Sequence, residues 1–428
     1  MNRQDGYVVD VPYPLHFHKE MQPAWLAHVV TTLGCTAPDL SRPYVYGELG
    51  CGAGINLLVA AACNPLGRFI GIDFNRQHIE MARRAASEAG IGNIQFIEAS
   101  FEDYHLGEVP RFDFLASHGA WSWLPAKAQA GMLHLVHKAL KPQGVLYLHY
   151  MCHPGATRLT AFQKVLLEMS RTGQGSSVEQ VRHGMALLRR LADLDAGLFV
   201  DNPDMHRELA ALEKEDPAYL AHDFLTEHWQ PQHSADVHRL VAQTGADFIG
   251  SANAFENMDS LSVPADVQPL LPGLPSRAVR ETVKDLARNQ HQRMDIFQRA
   301  PQVLAGHAHL QAIGRSVFQA LPSLPAPGAL AFKTPIGEIP GPAALFAPLL
   351  AALQAGPQSF QALAAQAPFQ QEPGLLLQAL GMLMWADHAH PLRPEATPAP
   401  AAAALQAWLD AQRLPLQLVP ACGAAVMR

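Results

Sequence analysis

The residues whose types and spacing point most directly to chemistry are Glu48, Gly50, Cys51, Gly52 and Gly54, with Asp73 further on. The glycines close the run Tyr46-Gly47-Glu48-Leu49-Gly50-Cys51-Gly52-Ala53-Gly54. A β-rich stretch, Tyr44 to Tyr46, leads into it, and an apolar segment able to form a helix, Ile55 to Cys63, leads out. A strand, a glycine-rich turn and a helix start let the backbone approach a ligand closely. The helix start adds free N–H groups and a partial positive charge. Such a turn suits a nucleotide-like molecule carrying a carboxylate or phosphate.

Spacing narrows the ligand. A dinucleotide fingerprint reads G-x-G-x-x-G, with its third glycine inside the helix. Glycines 50, 52 and 54 read G-x-G-x-G instead. The next β-rich run, Arg68 to Asp73, ends in an acid about 20 residues after the turn, where a carboxylate can accept both ribose hydroxyls. E-L-G-C-G-x-G with a downstream I-D resembles motif I and its partner in class I S-adenosylmethionine (SAM) methyltransferases. The resemblance implies SAM as cofactor, S-adenosylhomocysteine as product and no metal.

Alternating strand and helix signals must position these residues. Strands are expected at 44–49, 68–73, 94–97, 112–116 and 145–149. Asn75 caps a helix from Arg76 to Ala89 that stops at Gly90, and Lys127 to Leu140 shows helical spacing. This is the pattern of a doubly wound parallel sheet. A helix at 236–244, a sixth strand at 245–249 and a seventh at 293–297 complete the class I, Rossmann-like α/β sheet that the resemblance implies. Four regions follow: a SAM-binding core at 1–155, a helical insertion at 156–215, the end of the core with a second insertion at 216–300, and a small, mostly helical, winged-helix-like domain at 301–428. Pro322, Pro325 and Pro327 mark a linker in the last region, and helical patterns at 341–393 end in a small wing at Met384 to Arg393.

Composition excludes several functions. With 428 residues, 49% hydrophobic and 16% charged, the chain is globular rather than disordered. Net charge is −7 and no lysine- or arginine-rich block occurs, which argues against an extended nucleic-acid surface. No run approaches a membrane span, and the N-terminus carries no apolar signal region. Five cysteines without C-x-x-C spacing read as reduced thiols in a cytoplasmic protein. The histidine pairs His16/His18, His134/His137, His307/His309 and His388/His390 have no cysteine or carboxylate cluster at ligand spacing, so they read as core or surface residues.

Four further phrases resemble bacterial methyltransferases that carry a methyltransferase regulatory domain, among them the rickettsial protein-lysine methyltransferases of outer membrane protein B. They are Val11-Pro12-Tyr13-Pro14; Phe112-Asp113-Phe114 with Ser117 to Pro125; Tyr219 to Leu225; and Phe248 to Ala252 with Asp295-Ile296-Phe297. The resemblance spans residues 7–300. It has departures: Met151 stands where the family tends to have asparagine, and Ser100 where many class I enzymes place an aspartate.

The resemblance implies a protein or small-molecule methyl acceptor and a possible homodimer through the first insertion. The cofactor set is then Glu48, Gly50, Cys51, Gly52, Gly54, Asp73, Phe74, Ser100, Phe101, Ser117 and Tyr13. Phe74 packs on the adenine or is an ordinary core aromatic, and Tyr13 is a lid or an N-terminal anchor. Methyl transfer from a sulfonium is an in-line displacement that needs positioning and exclusion of water. His118 is expected beside the reacting centre, as base or hydrogen-bond partner, or as a brace for its loop. Tyr150 is expected to orient an amine acceptor. Trp121, with Trp123, walls the acceptor channel or packs under the sheet edge. Two alternatives to a protein methyltransferase stay open: a small-molecule methyltransferase, and a SAM-binding regulatory protein with little turnover.

Overall fold

The computed structural model describes residues 3–4, 6–11, 15–102, 110–394 and 398–428. Strands β1 (Tyr44–Leu49), β2 (Gly67–Asp73), β3 (Ile94–Glu98), β4 (Phe112–Ser117), β5 (Leu140–Met151), β6 (Ala246–Ser251) and β7 (Gln292–Arg299) form one sheet. Their order is β3-β2-β1-β4-β5-β7-β6. The first five in sequence run parallel, and β7 runs antiparallel to both its neighbours. The expected class I, Rossmann-like arrangement is present. Strand order reverses between β1 and β4, so a crevice opens at their carboxyl ends, where open α/β sheets bind ligands.

Strand β5 is longer than the sequence suggests. Pro142-Gln143-Gly144 bends the strand instead of preceding it: Gln143 takes a positive φ of 61°, and the register against β4 shifts between Phe112 and Phe114.

Helices α1 (Pro23–Thr32), α2 (Ile55–Cys63), α3 (Arg76–Glu88) and α4 (Ala126–Ala139) cover the sheet. Helix α3 starts where expected, because the Asn75 side chain accepts from the backbone N–H of Gln77 and His78. It buries His78, Ile79, Ala82, Ala85 and Ala86, one stripe at helical spacing. Helix α2 is buried at every residue, which a helix covering one face of a sheet does not require. The second cover comes from the far end of the chain.

Between β5 and β6 lie α5 (Leu159–Thr172), α6 (Ser177–Asp193), α7 (Gly197–Asp201), α8 (Asp204–Leu212), α9 (Pro217–Phe224) and α10 (Ser234–Ala242). The first five share a core of their own, including Phe162, Leu166, Leu188 and Phe224. A capping box of Ser176 and Glu179 starts α6. The short α11 (Asp259–Ser262) and α12 (Arg277–Arg288) precede β7. Arg293 of β7 is buried among three carboxylates, at 2.9 Å from Asp295, 2.5 Å from Asp285 and 2.8 Å from Glu281.

The remainder comprises α13 (Gly306–Gly314), β8 (Val317–Ala320), β9 (Leu330–Thr334), β10 (Gly337–Gly341), α14 (Ala343–Gln354), β11 (Gln358–Ser359), α15 (Phe360–Ala364), α16 (Pro373–Trp385), β12 (Ala389–Pro391), α17 (Ala401–Ala411), β13 (Leu416–Val419) and β14 (Ala424–Met427). Strand β8 sits between β11 and β12. Helix α17 and the β13–β14 pair pack on α2, and Asn64 at the end of α2 donates to the Gly423 carbonyl at 3.1 Å. One continuous apolar core therefore runs from Tyr46, Phe69 and Phe114 on the sheet, through α1 and α2, to Leu350, Leu383 and Leu405.

Among the described residues, no helix is long and apolar enough to cross a membrane. All five cysteines are free and buried.

Candidate active site

A cleft of about 740 Å³ opens at the carboxyl ends of β1 and β4. Its floor is the glycine turn. Gly50, Gly52 and Gly54 all adopt positive φ, at 76°, 52° and 78°. A side chain on Gly52 would meet nothing within 4 Å, so this stretch of backbone lies open to the cleft. Asp73 locks the turn from β2: its carboxylate accepts from Gly52 N–H and from Asn75 N–H, each at 2.8 Å. Burial raises its pKa, and these two hydrogen bonds oppose the rise. Glu48 lies beside it, and burial together with the Asp73 charge pushes its carboxyl well up. Its Oε2 is buried with no hydrogen-bond partner among the described residues. Two desolvated acids over an open glycine turn fit a ligand that brings hydroxyl donors and positive charge, as SAM does.

The walls come from several elements. Phe74, His78, Ser100, Phe101 and Asn56 line the cleft on the β2 and β3 side. Tyr7 meets Phe74 edge-on at 5.8 Å, and it also packs against His222 at 5.4 Å. On the other side stands a stack of imidazoles, of which His18 and His118 line the cleft and His149 lies behind them. His18 lies on His118 with ring centres 3.5 Å apart, and His118 lies on His149 at 3.9 Å. Burial holds all three neutral: His18 is pushed down to about 3, His149 to about 4, and His118 well below the ordinary histidine range, with the neighbouring rings adding to the effect on His18 and His118. His118 Nδ1 is 2.7 Å from the Tyr147 hydroxyl. His149 Nδ1 accepts from Gly119 N–H at 3.1 Å, which places its proton on Nε2. The wall is thus polar and uncharged.

Comparison with known proteins agrees with this construction. Residues 44–245 match a methyltransferase domain, and residues 216–299 match a methyltransferase regulatory domain. The chain is an S-adenosylmethionine-dependent methyltransferase. It is 29% identical over 357 residues to an uncharacterised protein of Synechocystis sp., covering 83% of this chain and 70% of that one. It is 26% identical to an uncharacterised protein of Rickettsia prowazekii, covering 51% of this chain and 86% of that one. The structure of PKMT2 from Rickettsia typhi in complex with AdoHcy shares the fold, with a TM-score of 0.70, 18% identity, and coverage of 89% of this chain and 77% of that one.

In this methyltransferase the segment that matches the regulatory domain is not a separate body. It supplies β6 and β7 to the sheet, and residues next to α9 to the site. Glu227 and His228 line the cleft, and the Asp223 carbonyl accepts from Trp123 Nε1 at 3.0 Å.

Of the residues expected from sequence, Glu48, Gly50, Cys51, Gly52, Gly54, Asp73, Phe74, Ser100, Phe101 and His118 line the cleft. Burial, with Asp73 and Glu48 nearby, pushes the Cys51 thiol well up, so it stays protonated. Ser117 is placed differently: it is fully buried and donates to the Leu49 carbonyl at 2.9 Å, bracing β4 against β1. Tyr13 lies outside the described residues.

Two expectations need correction. Tyr150 does not reach the cleft, because alternate residues of a strand face opposite ways. Tyr147 and His149 share the face of β5 that contacts His118, whereas Tyr150 joins Leu146 and Leu148 in the core on the other face. Its hydroxyl donates to buried Asp295 at 2.5 Å. Trp121 is fully buried in that same core and bonded to Gln232, so Trp123, two residues on, is the tryptophan at the cleft.

Sequence reasoning missed Tyr7, Asn56, His78, Glu227 and His228, which reach the cleft from elements far apart in the chain. His16 and His18 line the cleft too. Their i, i+2 spacing in an extended segment was the available signal, since it puts both on one side.

Proposed function

We propose that the protein transfers the methyl group of SAM to an amine nitrogen of a protein side chain, lysine being the first to test. The observation that carries this reading is the neutral imidazole wall facing the same cleft as the glycine turn and Asp73. A lysine amine must lose its proton before it can attack, although its ordinary pKa is about 10.4. An uncharged imidazole wall favours the neutral amine, and the Lys127 ammonium that also lines the cleft is paired with Glu102. With Nδ1 donating to the Tyr147 oxygen, His118 keeps a lone pair on Nε2 to accept the hydrogen bond of the acceptor's N–H.

Bound SAM supplies an electrophilic methyl on a sulfonium. Glu48 and Asp73 hold the cofactor by its donors, while Phe74 and Tyr7 flank one side of the cleft. The protein acceptor is suggested by the phrases shared with the rickettsial protein-lysine methyltransferases and by the regulatory-domain match at 216–299.

The test is transfer of labelled methyl from SAM into a fractionated bacterial lysate, with wild type and Asp73→Ala side by side. Label in protein bands, lost in the variant, is expected. Label confined to small molecules would replace this reading with the small-molecule one. Tight SAM binding with no label anywhere would favour a regulatory protein. Retained SAM affinity of Asp73→Ala in calorimetry would overturn the ribose assignment.

A further inference from the structure

Residues 15–18 precede a 3-10 turn at Lys19–Met21, and His18 is extended there, with φ −121° and ψ 108°. The side chains of this segment alternate between two destinations. His16 and His18 line the cleft. Phe17 packs instead against Leu321, Val419 and Cys422 of the C-terminal domain.

Lys19 follows Phe17 to that side. Its ammonium donates to the carbonyls of Met384 at 2.8 Å and Trp385 at 3.1 Å, and to Asp387 at 2.5 Å, which uses all three of its hydrogens. Met384 and Trp385 close α16, whose carboxyl end carries partial negative charge. The Lys19 side chain is only 15% exposed. His18 is pinned on its other side as well, through its backbone N–H to Asn56 Oδ1 at 2.8 Å, in the first turn of α2.

We propose that Lys19 is a positioning residue for methyl transfer: it ties His18 to the C-terminal domain, so that seating of this domain aligns the imidazole wall against which the acceptor rests. The proposal rests on the reading of function given above and gives the C-terminal domain a role in the reaction. Its contact with Asp387 alone would contribute little, since that carboxylate is largely exposed. The two carbonyl bonds are directional and half-buried, and they fix the residue next to His18. A misplacement of about 1 Å at a reacting centre costs up to about a hundredfold in rate.

The experiment compares wild type with Lys19→Met, Lys19→Arg, His18→Gln and the double variant His18→Gln/Lys19→Met. Trp408→Phe serves as a control, because Trp408 joins the C-terminal domain to Glu88 of α3 without touching this segment. Readouts are labelled-methyl transfer into the lysate protein fraction, SAM affinity by calorimetry, and the ring-proton resonances of His18 and His118.

Lys19→Met should slow transfer about tenfold or more while SAM affinity stays within about twofold. Lys19→Arg should recover most of the rate, Trp408→Phe should keep it, and the double variant should be no slower than His18→Gln. Among the variants that keep both histidines, only Lys19→Met should lose their mutual ring-current shift. Unmoved resonances, or an effect of Lys19→Met that simply adds to that of His18→Gln, would overturn the proposal. If wild type labels no fraction, the reading of function fails, and the resonances alone decide whether Lys19 holds His18.

Discussion

Gly54 caps α2 with a φ of 78°, and a side chain there would lie 2.6 Å from the Phe96 ring. Two costs then add for Gly54→Ala: about 1–2 kcal/mol for the left-handed backbone and about 1–3 kcal/mol for displacing the ring. Gly52→Ala carries only the first cost, because its side would be open, but the new methyl would stand in the cleft. Urea unfolding should show Gly54→Ala losing about 2–5 kcal/mol and Gly52→Ala about 1–2 kcal/mol. Calorimetry should show a loss of SAM affinity for Gly52→Ala well beyond its loss of stability. Unchanged affinity there would mean that the cofactor does not lie over Gly52. The same scale explains the failure at Tyr150. The residue type suits the chemistry, but the parity of a strand sends it to the opposite face from Tyr147 and His149.

At the scale of elements, the edge of the sheet depends on Arg293. The guanidinium is buried, and Asp295 on its own strand and Asp285 and Glu281 on α12 surround it. Tyr150 and His238 also bond Asp295, at 2.5 and 2.7 Å. The cluster ties β7 to α12, β5 and α10. Removing its cation strips the guanidinium from buried Asp285 and Asp295 and leaves Glu281 with Lys284 at 3.5 Å, so Arg293→Met should cost about 3–5 kcal/mol in urea unfolding. A loss below about 1 kcal/mol would show that the carboxylates simply take up protons. Helix α2 makes a related point. Its apolar run of nine residues reads as a helix, but the packing of α17 and the β13–β14 pair explains why no face of it is polar.

Across the whole molecule, the elements beyond β7 are joined to α1 partly through a neutral histidine. His28 of α1 bonds Ser316 at 3.2 Å and packs edge-on against Phe318 of β8. Burial pushes it down to about 4. Below pH 6.5 the unfolded chain takes up a proton at this site and the folded chain does not, so stability falls as pH falls, until about pH 4. Relative to His28→Gln, wild type should lose about 1 kcal/mol per pH unit across that window. Urea titrations of both proteins at pH 7, 6 and 5 measure the difference, and parallel curves would contradict the assignment.

The sequence by itself determined the sheet, the glycine turn and the acid that locks it. These features are local: a turn that needs positive φ admits little but glycine, and strand and helix periods are written over a few residues. The family resemblance to SAM methyltransferases followed from them. Only the tertiary structure decided the imidazole wall. His18, His118 and His149 come from the segment before α1, the loop after β4 and the strand β5, and they meet because these three chain segments converge near the carboxyl ends of the central strands. It also decided where the end of the chain goes. The contacts of Lys19 with α16, and of Asn64 with Gly423, join residues more than 350 positions apart, and such pairings leave no periodic trace in sequence because burial, not spacing, selects them.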